Sequence, residues 1–419
     1  MIFMATIHNT SATPWKTEKW YTSPWNFVDE VRSQVSFSKN IQFHDVSLRD
    51  GEQQAGLIFT KDQKVAIAEK LAELGIHRIE AGMPVVSDQD AAAIKEIIKR
   101  NLGPQIFAFA RCMKEDVKRS VDLGVKNIVL EVPASDHILK YAYKWEFEKA
   151  IEVSIEATLF AKENGMYVSF FTIDGTRADI NDYLNIVERV AKEGHMDELT
   201  VVDTFGGLNP HSVPYLLKKV KEKISDKPIG IHFHDDFGIG SATTIMGLAA
   251  GADIAHTSIS GIGERAGNAP YEDVALALLT MYGVDTGLKY EKIYPLSKYL
   301  REISGLHVRQ NQGIVGDYVA DIESGIVAAW YKNVEGIAPL ELSPYLYDLV
   351  GHPDTKVVIG KMSGIPTVDI YLDKLGMSTD NEELKMRIVK RVKDKAFAKY
   401  GLLTLEEFGE IAKDELDKG

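Results

Sequence analysis

Residues 41–75 read IQFHDVSLRDGEQQAGLIFTKDQKVAIAEKLAELG: a short apolar strand candidate at 41–45, a polar turn, then apolar residues at helical spacing. Thr60 with Gln63 three residues on makes a capping box that opens the helix, and Gly75 closes it. The stretch is one βα unit. The same rhythm continues to about residue 283, with strand candidates at 78–81, 106–110, 127–132, 168–173, 199–203, 229–234 and 254–259. Eight such units predict an α/β fold, a (β/α)8 TIM barrel closed by a parallel sheet.

Outside that rhythm the composition changes. Residues 1–40 carry Trp15, Trp20, Tyr21, Trp25 and Phe27 without a period and read as an aromatic arm that packs on the barrel or on a partner subunit. Beyond the barrel at 41–285, the strand rhythm stops. Residues 286–365 read as a linking subdomain and 366–419 as a helical one, so small, mostly helical C-terminal subdomains are expected. The 419 residues are 45% hydrophobic and 26% charged, enough to bury a full core. A net charge of -13 with no basic tract argues against nucleic acid as a partner. No apolar run reaches membrane-spanning length, and the single cysteine, Cys112, reads as a packing residue. With no signal-like segment at the start, these features point to the reducing cytoplasm.

Chemistry-bearing residues collect at the predicted carboxyl ends of the strands, where the βα loops of a parallel barrel gather. His232 and His234, two apart on one strand, present both imidazoles to the same side. Asp50 follows the first strand, and Asn268 lies in the loop after the eighth, within Gly261-Ile-Gly-Glu-Arg-Ala-Gly-Asn268. Strands seven, eight and one become neighbours on closure, so Asp50, His232, His234 and Asn268 can converge on one divalent cation. Mixed nitrogen and oxygen donors suit Mn, Mg, Zn or Co. The bland alternative is a pair of packed strand histidines, and the match at four strand ends weighs against it. Arg49, next to the carboxylate ligand, would place an anion-binding group beside the cation, as a 2-oxo acid requires. Glu80 and Arg111 also face the mouth: Glu80 either orients Arg49 and the ligands or forms a plain internal ion pair. Glu264 and Arg265 read as braces of the glycine-rich loop.

Together Leu48-Arg-Asp-Gly-Glu-Gln53, Ile79-Glu-Ala-Gly82, Asp203-Thr204, His232-Phe-His-Asp-Asp236 and Gly261 to Asn268 resemble the metal-dependent TIM-barrel family of 2-isopropylmalate, homocitrate and citramalate synthases. The resemblance extends through Val315-Gly316, Glu323-Ser-Gly-Ile326, Gly360-Lys-Met-Ser-Gly364 and Leu375-Gly376, covering nearly all of residues 41–415. It implies a Claisen-type condensation of acetyl-CoA with a 2-oxo acid chelated to the cation. In that scheme Arg49 would stabilise the enolate or alkoxide, and Thr204 would hold the substrate carboxylate. It also implies a homodimer in which the linking subdomain covers the partner's barrel mouth. The chain ends without the regulatory domain of leucine-inhibited members, so feedback through such a domain is not expected.

Four positions depart from that family. Ile173 stands where its members carry a glutamate at the end of strand five, Ile322 and Val327 replace two linker histidines, and Met362 replaces another. An acetyl thioester needs a positioned base. Three explanations stay open: Asp174, Asp321, His137 or His352 serves as base; the acyl donor differs; or the reaction is a cleavage or decarboxylation. The competing functions are a carbon–carbon lyase of the aldolase or 3-hydroxy-3-methylglutaryl-CoA lyase type and a metal-binding homologue without catalysis.

Overall fold

The computed structural model describes residues 7–8 and 11–418. Eight parallel strands close a barrel: β1 Gln42–Asp45, β2 Arg78–Glu80, β3 Gln105–Arg111, β4 Asn127–Pro133, β5 Tyr167–Ile173, β6 Glu198–Asp203, β7 Ile229–Phe233 and β8 Ile254–Thr257. β8 pairs back to β1 with His44 opposite His256. The eight expected strands are all present, and the seventh and eighth stop short for a structural reason. His234 leaves β7 to form a bridge with Asn268, and Ser258 leaves β8 to bridge Pro270, so both strand ends feed the same loop.

Helices cover the outside: α1 Lys61–Leu74, α2 Asp88–Arg100, α3 Lys114–Asp122, α4 Phe147–Glu163, α5 Ile180–Glu193, α6 Ser212–Lys223, α7 Gly240–Ala249 and α8 Tyr271–Met281. The first shows the boundary chemistry. Thr60 accepts from the Gln63 amide in a reciprocal capping box, and Gly75 ends the helix at φ 89°, a conformation that glycine adopts without cost. Its buried Val65, Ile67, Ala68, Leu71 and Leu74 are the side it gives to the core.

The chain divides into two compact units. One comprises residues 1–15 and 23–308, the barrel with α9 Ile293–Ser304; the other comprises 16–22 and 309–419. The split therefore falls within 286–365, and residues 16–22 of the aromatic arm go with the second unit. There the Trp20 backbone bridges Tyr345. In the first unit Trp15 lies 6.1 Å from Phe27 between ring centroids, while Trp25 is exposed. The second unit contains α10 Gly325–Val334, α11 Ile365–Lys374, α12 Glu382–Lys399 and α13 Leu405–Leu416. The last three pack around Val368, Leu372, Ile388, Val392, Phe408 and Ile411. Among the described residues no helix is long and apolar enough to cross a membrane.

The inside of the barrel carries buried polar groups beside an aromatic cluster of Phe107, Phe109 and Phe171. At its lower end Arg78 on β2 crosses to Glu198 on β6 at 2.6 Å and to Gln42 at 2.6 Å, and Tyr167 donates to Glu198 at 2.9 Å. Both charges are buried, so removing one strands the other. Glu198→Ala is expected to destabilise the chain by about 3–5 kcal/mol and to lower the melting temperature by more than about 5 °C. Glu198→Gln, which keeps a hydrogen-bonding group there, should fall between it and wild type. Equal melting curves for Glu198→Ala and wild type in calorimetry would refute the bracing role.

Candidate active site

The turn after β1 decides where two key side chains point. Asp45 accepts from the Ser47 amide and hydroxyl at 3.0 and 3.1 Å, and the Ile259 amide donates to Ser47 Oγ at 2.8 Å. This ties the loop after β1 to the loop after β8. Burial pushes the Asp45 carboxyl up to about 7. Gly51 is required because a Cβ there would come within 2.7 Å of Ile262. With Leu48 anchored in the core, Arg49 and Asp50 turn into the barrel mouth.

Asp50 meets the histidines of β7 there. Its Oδ2 lies 3.1 Å from His232 Nε2 and 3.7 Å from His234 Nε2, and the two Nε2 atoms are 3.3 Å apart. All three side chains are buried. Burial alone would raise the Asp50 carboxyl, but the Arg49 guanidinium, with His232 and His234, holds it well below the usual carboxylate range. Burial, with His232 beside it, pushes His234 down to about 4, so its imidazole is neutral near pH 7. His234 Nδ1 donates to the Gly267 carbonyl at 3.0 Å, which leaves the Nε2 lone pair turned toward Asp50. Asn268 sits on the same bridge. Its Nδ2 donates to Ile262 O at 3.1 Å, and its buried Oδ1 has no hydrogen-bond partner within the protein. A carboxylate, two imidazole nitrogens and an unpaired amide oxygen fit the donor set of a divalent cation. The loop needs its glycines: at Gly267, φ 87°, a Cβ would fall 1.8 Å from Gly261 O.

Arg49 joins this cluster to a second one. Its Nε donates to Glu80, its Nη1 donates to Asp50 at 3.3 Å, and its buried Nη2 has no partner within the protein. The guanidinium lies 4.0 Å over the Phe109 ring. Glu80 is therefore ion-paired with Arg49, and its other oxygen is 3.1 Å from His44 Nε2. His44 stacks on His256 at 4.1 Å, and burial lowers both imidazoles, keeping them neutral. His44, Glu80 and His256 thus gather donor atoms inside the barrel, a cluster that sequence reasoning misses because neither histidine belongs to a motif.

The other expected residues have mixed fates. The Thr204 hydroxyl, at the end of β6, accepts from the Asp174 amide at 2.7 Å, and Arg265 bonds the Thr204 carbonyl while pairing with Asp236 at 2.9 Å. Asp174 is buried at φ 56° and bound by Ser135, Arg177 and His137 at 2.6, 2.7 and 2.7 Å. Arg111 pairs with Asp116 at 2.7 Å, and the Glu264 amide, not its side chain, reaches Asp50 at 3.2 Å. Cys112 is buried, its thiol pushed up to about 12 by burial. Asp321 and His352 lie in the second unit, where both ring nitrogens of His352 face carbonyl oxygens, of Pro353 and Gly316.

Sequence reasoning also passes over Glu131 on β4. It faces Arg111 of β3 and Phe171 of β5 in the ladder and accepts from Tyr143 Oη at 3.3 Å. A signal was available: an acid inside the apolar run Asn127–Pro133. Beside Arg49, a groove of about 1030 Å3 opens, lined by Leu48, Gln53, Phe59, Lys61, Lys64 and Met83.

Comparison with known proteins places this geometry. The HMGL-like family model matches residues 40–300, more than half of the chain. The chain is 38% identical over 401 residues to homocitrate synthase AksA of Methanocaldococcus jannaschii, covering 95% of this chain and 96% of that one. It is 34% identical over 365 residues to 2-isopropylmalate synthase of Sulfolobus acidocaldarius, covering 86% and 92%. The crystal structure of hydroxymethylglutaryl-CoA lyase from Pseudomonas aeruginosa superposes with a TM-score of 0.58 at 20% identity, covering 65% of this chain and 95% of that chain, a likeness of fold. Matched by that model over its barrel and by synthases over nearly its full length, the chain belongs to the HMGL-like family and to its group of homocitrate, 2-isopropylmalate and citramalate synthases.

Proposed function

We propose that this chain catalyses a divalent-cation-dependent Claisen-type condensation of an acyl-CoA, acetyl-CoA foremost, with a 2-oxo acid, giving a 2-hydroxy dicarboxylic acid. One observation carries the reading: Asp50, His232 and His234 converge beside the unpartnered Asn268 Oδ1, next to an Arg49 whose Nη2 is likewise unpartnered. The cation, Mn, Mg, Zn or Co, would be held by those four side chains and would supply Lewis acidity to the 2-oxo acid oxygens.

The protein's own groups do the rest. Arg49, fixed by Glu80 and Asp50 on either side, presents its free N–H to the negative charge that develops on oxygen, a donor that needs no reorganisation. Glu80 is a positioning residue that acts through Arg49. Thr204 uses its oxygen to accept from the Asp174 amide, so its O–H is the donor for the substrate carboxylate. The groove beside Arg49 has room for a thioester arm, with Lys61 at its wall for a CoA phosphate. Assembly as a homodimer and residence in the cytoplasm belong to the same proposal. The rival lyase reading lacks support from Cys112, which is buried and protonated rather than poised as an acid near the loop after β8. A purely binding role leaves the unpaired N–H of Arg49 without a purpose.

Free-thiol release from acetyl-CoA, with Mn or Mg and a panel of 2-oxo acids, tests the reading. Release should require one particular 2-oxo acid, stop on chelation, return on adding the cation, and be absent in Asp50→Ala. Silence with every acid, in protein that binds the cation, would sink acetyl-CoA condensation. Arg49→Lys keeps the charge but loses the planar fork that spans Glu80, Asp50 and substrate. It should lower kcat by about a hundredfold or more, and steady-state rates within about threefold of wild type would remove Arg49 from the transition state.

A further inference from the structure

Resting on the condensation reading above, we propose that Glu131 is the base that takes the α proton of the acyl thioester. Condensation needs such a group, and the carboxylates already placed are committed. Asp50 faces the two histidines, Glu80 is bonded to Arg49 and His44, and Asp174 is held by Ser135, Arg177 and His137. Glu131 has one side-chain partner given by the geometry, the Tyr143 hydroxyl at 3.3 Å. It also lines a cavity of about 250 Å3 with Arg111, Met113, Pro133, Tyr143 and Trp145.

Its place in the ladder brings it to the reacting centre. Glu131 lies two residues from Val129, which packs in the barrel interior with Phe107, Phe109, Phe171 and Val202, so the two share a face and the Glu131 side chain leaves β4 on the inner side. It pairs in register with Phe171, whose ring meets the His232 ring at 5.1 Å and the Phe109 ring at 5.4 Å. Phe109 carries the Arg49 guanidinium at 4.0 Å. Glu131 therefore stands one side chain from the histidine cluster and one from Arg49. Burial raises its carboxyl above the usual range while Arg49 and Tyr143 oppose the rise, which makes it a stronger base than a solvated glutamate.

The step balances without a further reagent except water. The α C–H bond breaks, the proton passes to a Glu131 oxygen, and the electron pair forms the enolate, whose oxygen faces Arg49. The enolate carbon attacks the ketone carbon of the 2-oxo acid, the new C–C bond forms, and the ketone oxygen takes the electron pair and then a proton. Water hydrolyses the thioester and frees the CoA thiol.

The test uses the purified full chain with Mn in the thiol-release assay, with 2-oxo acid binding followed by calorimetry. Glu131→Gln should lower kcat by about a hundredfold or more while the KM and the binding constant for the 2-oxo acid stay within about threefold. Glu131→Asp, which keeps a carboxylate one methylene shorter, should retain part of the rate and show a larger isotope effect with trideuteroacetyl-CoA than wild type. It also guards against a Glu131→Gln protein that fails to fold. Glu131→Gln turning over within about tenfold of wild type, or losing 2-oxo acid binding in step with rate, overturns the assignment and leaves the condensation standing. Wild type that binds the 2-oxo acid but releases no thiol overturns the condensation itself and Glu131's role with it.

Discussion

A guanidinium inside a barrel must be answered by carboxylates, and Arg49 is answered by two. Glu80 takes its Nε, Asp50 takes its Nη1, and the face of Phe109 covers it from beneath. Each of those partners is fixed by something else. Glu80 leans on His44, which stacks on His256 across the β1–β8 pairing, and Asp50 accepts from the amide of Glu264 in the loop after β8. The charge of one residue thus organises β1, β2 and β8 and the glycine-rich loop into a single unit. His232 and His234 arrive from β7 at the point where the Asp50 carboxylate is already held. Arg49 is the largest of the influences that hold the Asp50 and Glu80 carboxyls down against the burial that would raise them.

The same logic explains why the barrel core can hold polar groups beside its aromatic cluster. Arg78, Glu198, Gln42 and Tyr167 satisfy one another near the bottom, while His44 and His256 escape charge altogether because burial keeps them neutral. Their Nδ1 atoms remain without a partner within the protein. An unpaired neutral imidazole nitrogen costs far less than an unpaired ion, so the interior tolerates two histidines where it would not tolerate two lysines. A further apolar contribution comes from between the sheet and its helices, where α1 alone buries Val65, Ile67, Leu71 and Leu74.

What was legible in the sequence was whatever depends on local period or on adjacent residues. Eight strands followed by helices, the Thr60 cap, the two-residue step from His232 to His234 and the loop ending at Asn268 all carry local signals. The fold was readable from them, as were the residues that the structure brings into one cluster. Contacts set by the register between strands were not readable. Glu131 looks like an irregularity in Asn127–Pro133 until pairing sets it beside Phe171, and its partner Tyr143 comes from an irregular π-turn, Leu139–Tyr143, that no helical period announces. The commitment of the Thr204 oxygen was hidden for another reason. It depends on Asp174 adopting a left-handed conformation at the end of β5, which aims its amide at the neighbouring strand. The unit boundary at 308 lies after the helix Ile293–Ser304, which buries Ile293, Leu296 and Leu300 and belongs to the first unit.

Condensation and cleavage on this scaffold pass through the same enolate, so a group that stabilises it cannot by itself choose between them. On the proposed reading Arg49 is such a group. The choice depends on how the proton is handled and on what keeps water from delivering one, because an enolate exposed to solvent is protonated before it meets a ketone. Phe109 and Phe171, both buried, pack edge to face at 5.4 Å, Phe109 under the Arg49 guanidinium and Phe171 in register with Glu131. Apolar rings at a site limit the access of water, and burial is also what raises the Glu131 carboxyl. An aromatic wall, a fixed guanidinium and a carboxylate strengthened as a base belong to one packing arrangement. The basicity needed to form the enolate and the dryness needed to preserve it therefore rise and fall together.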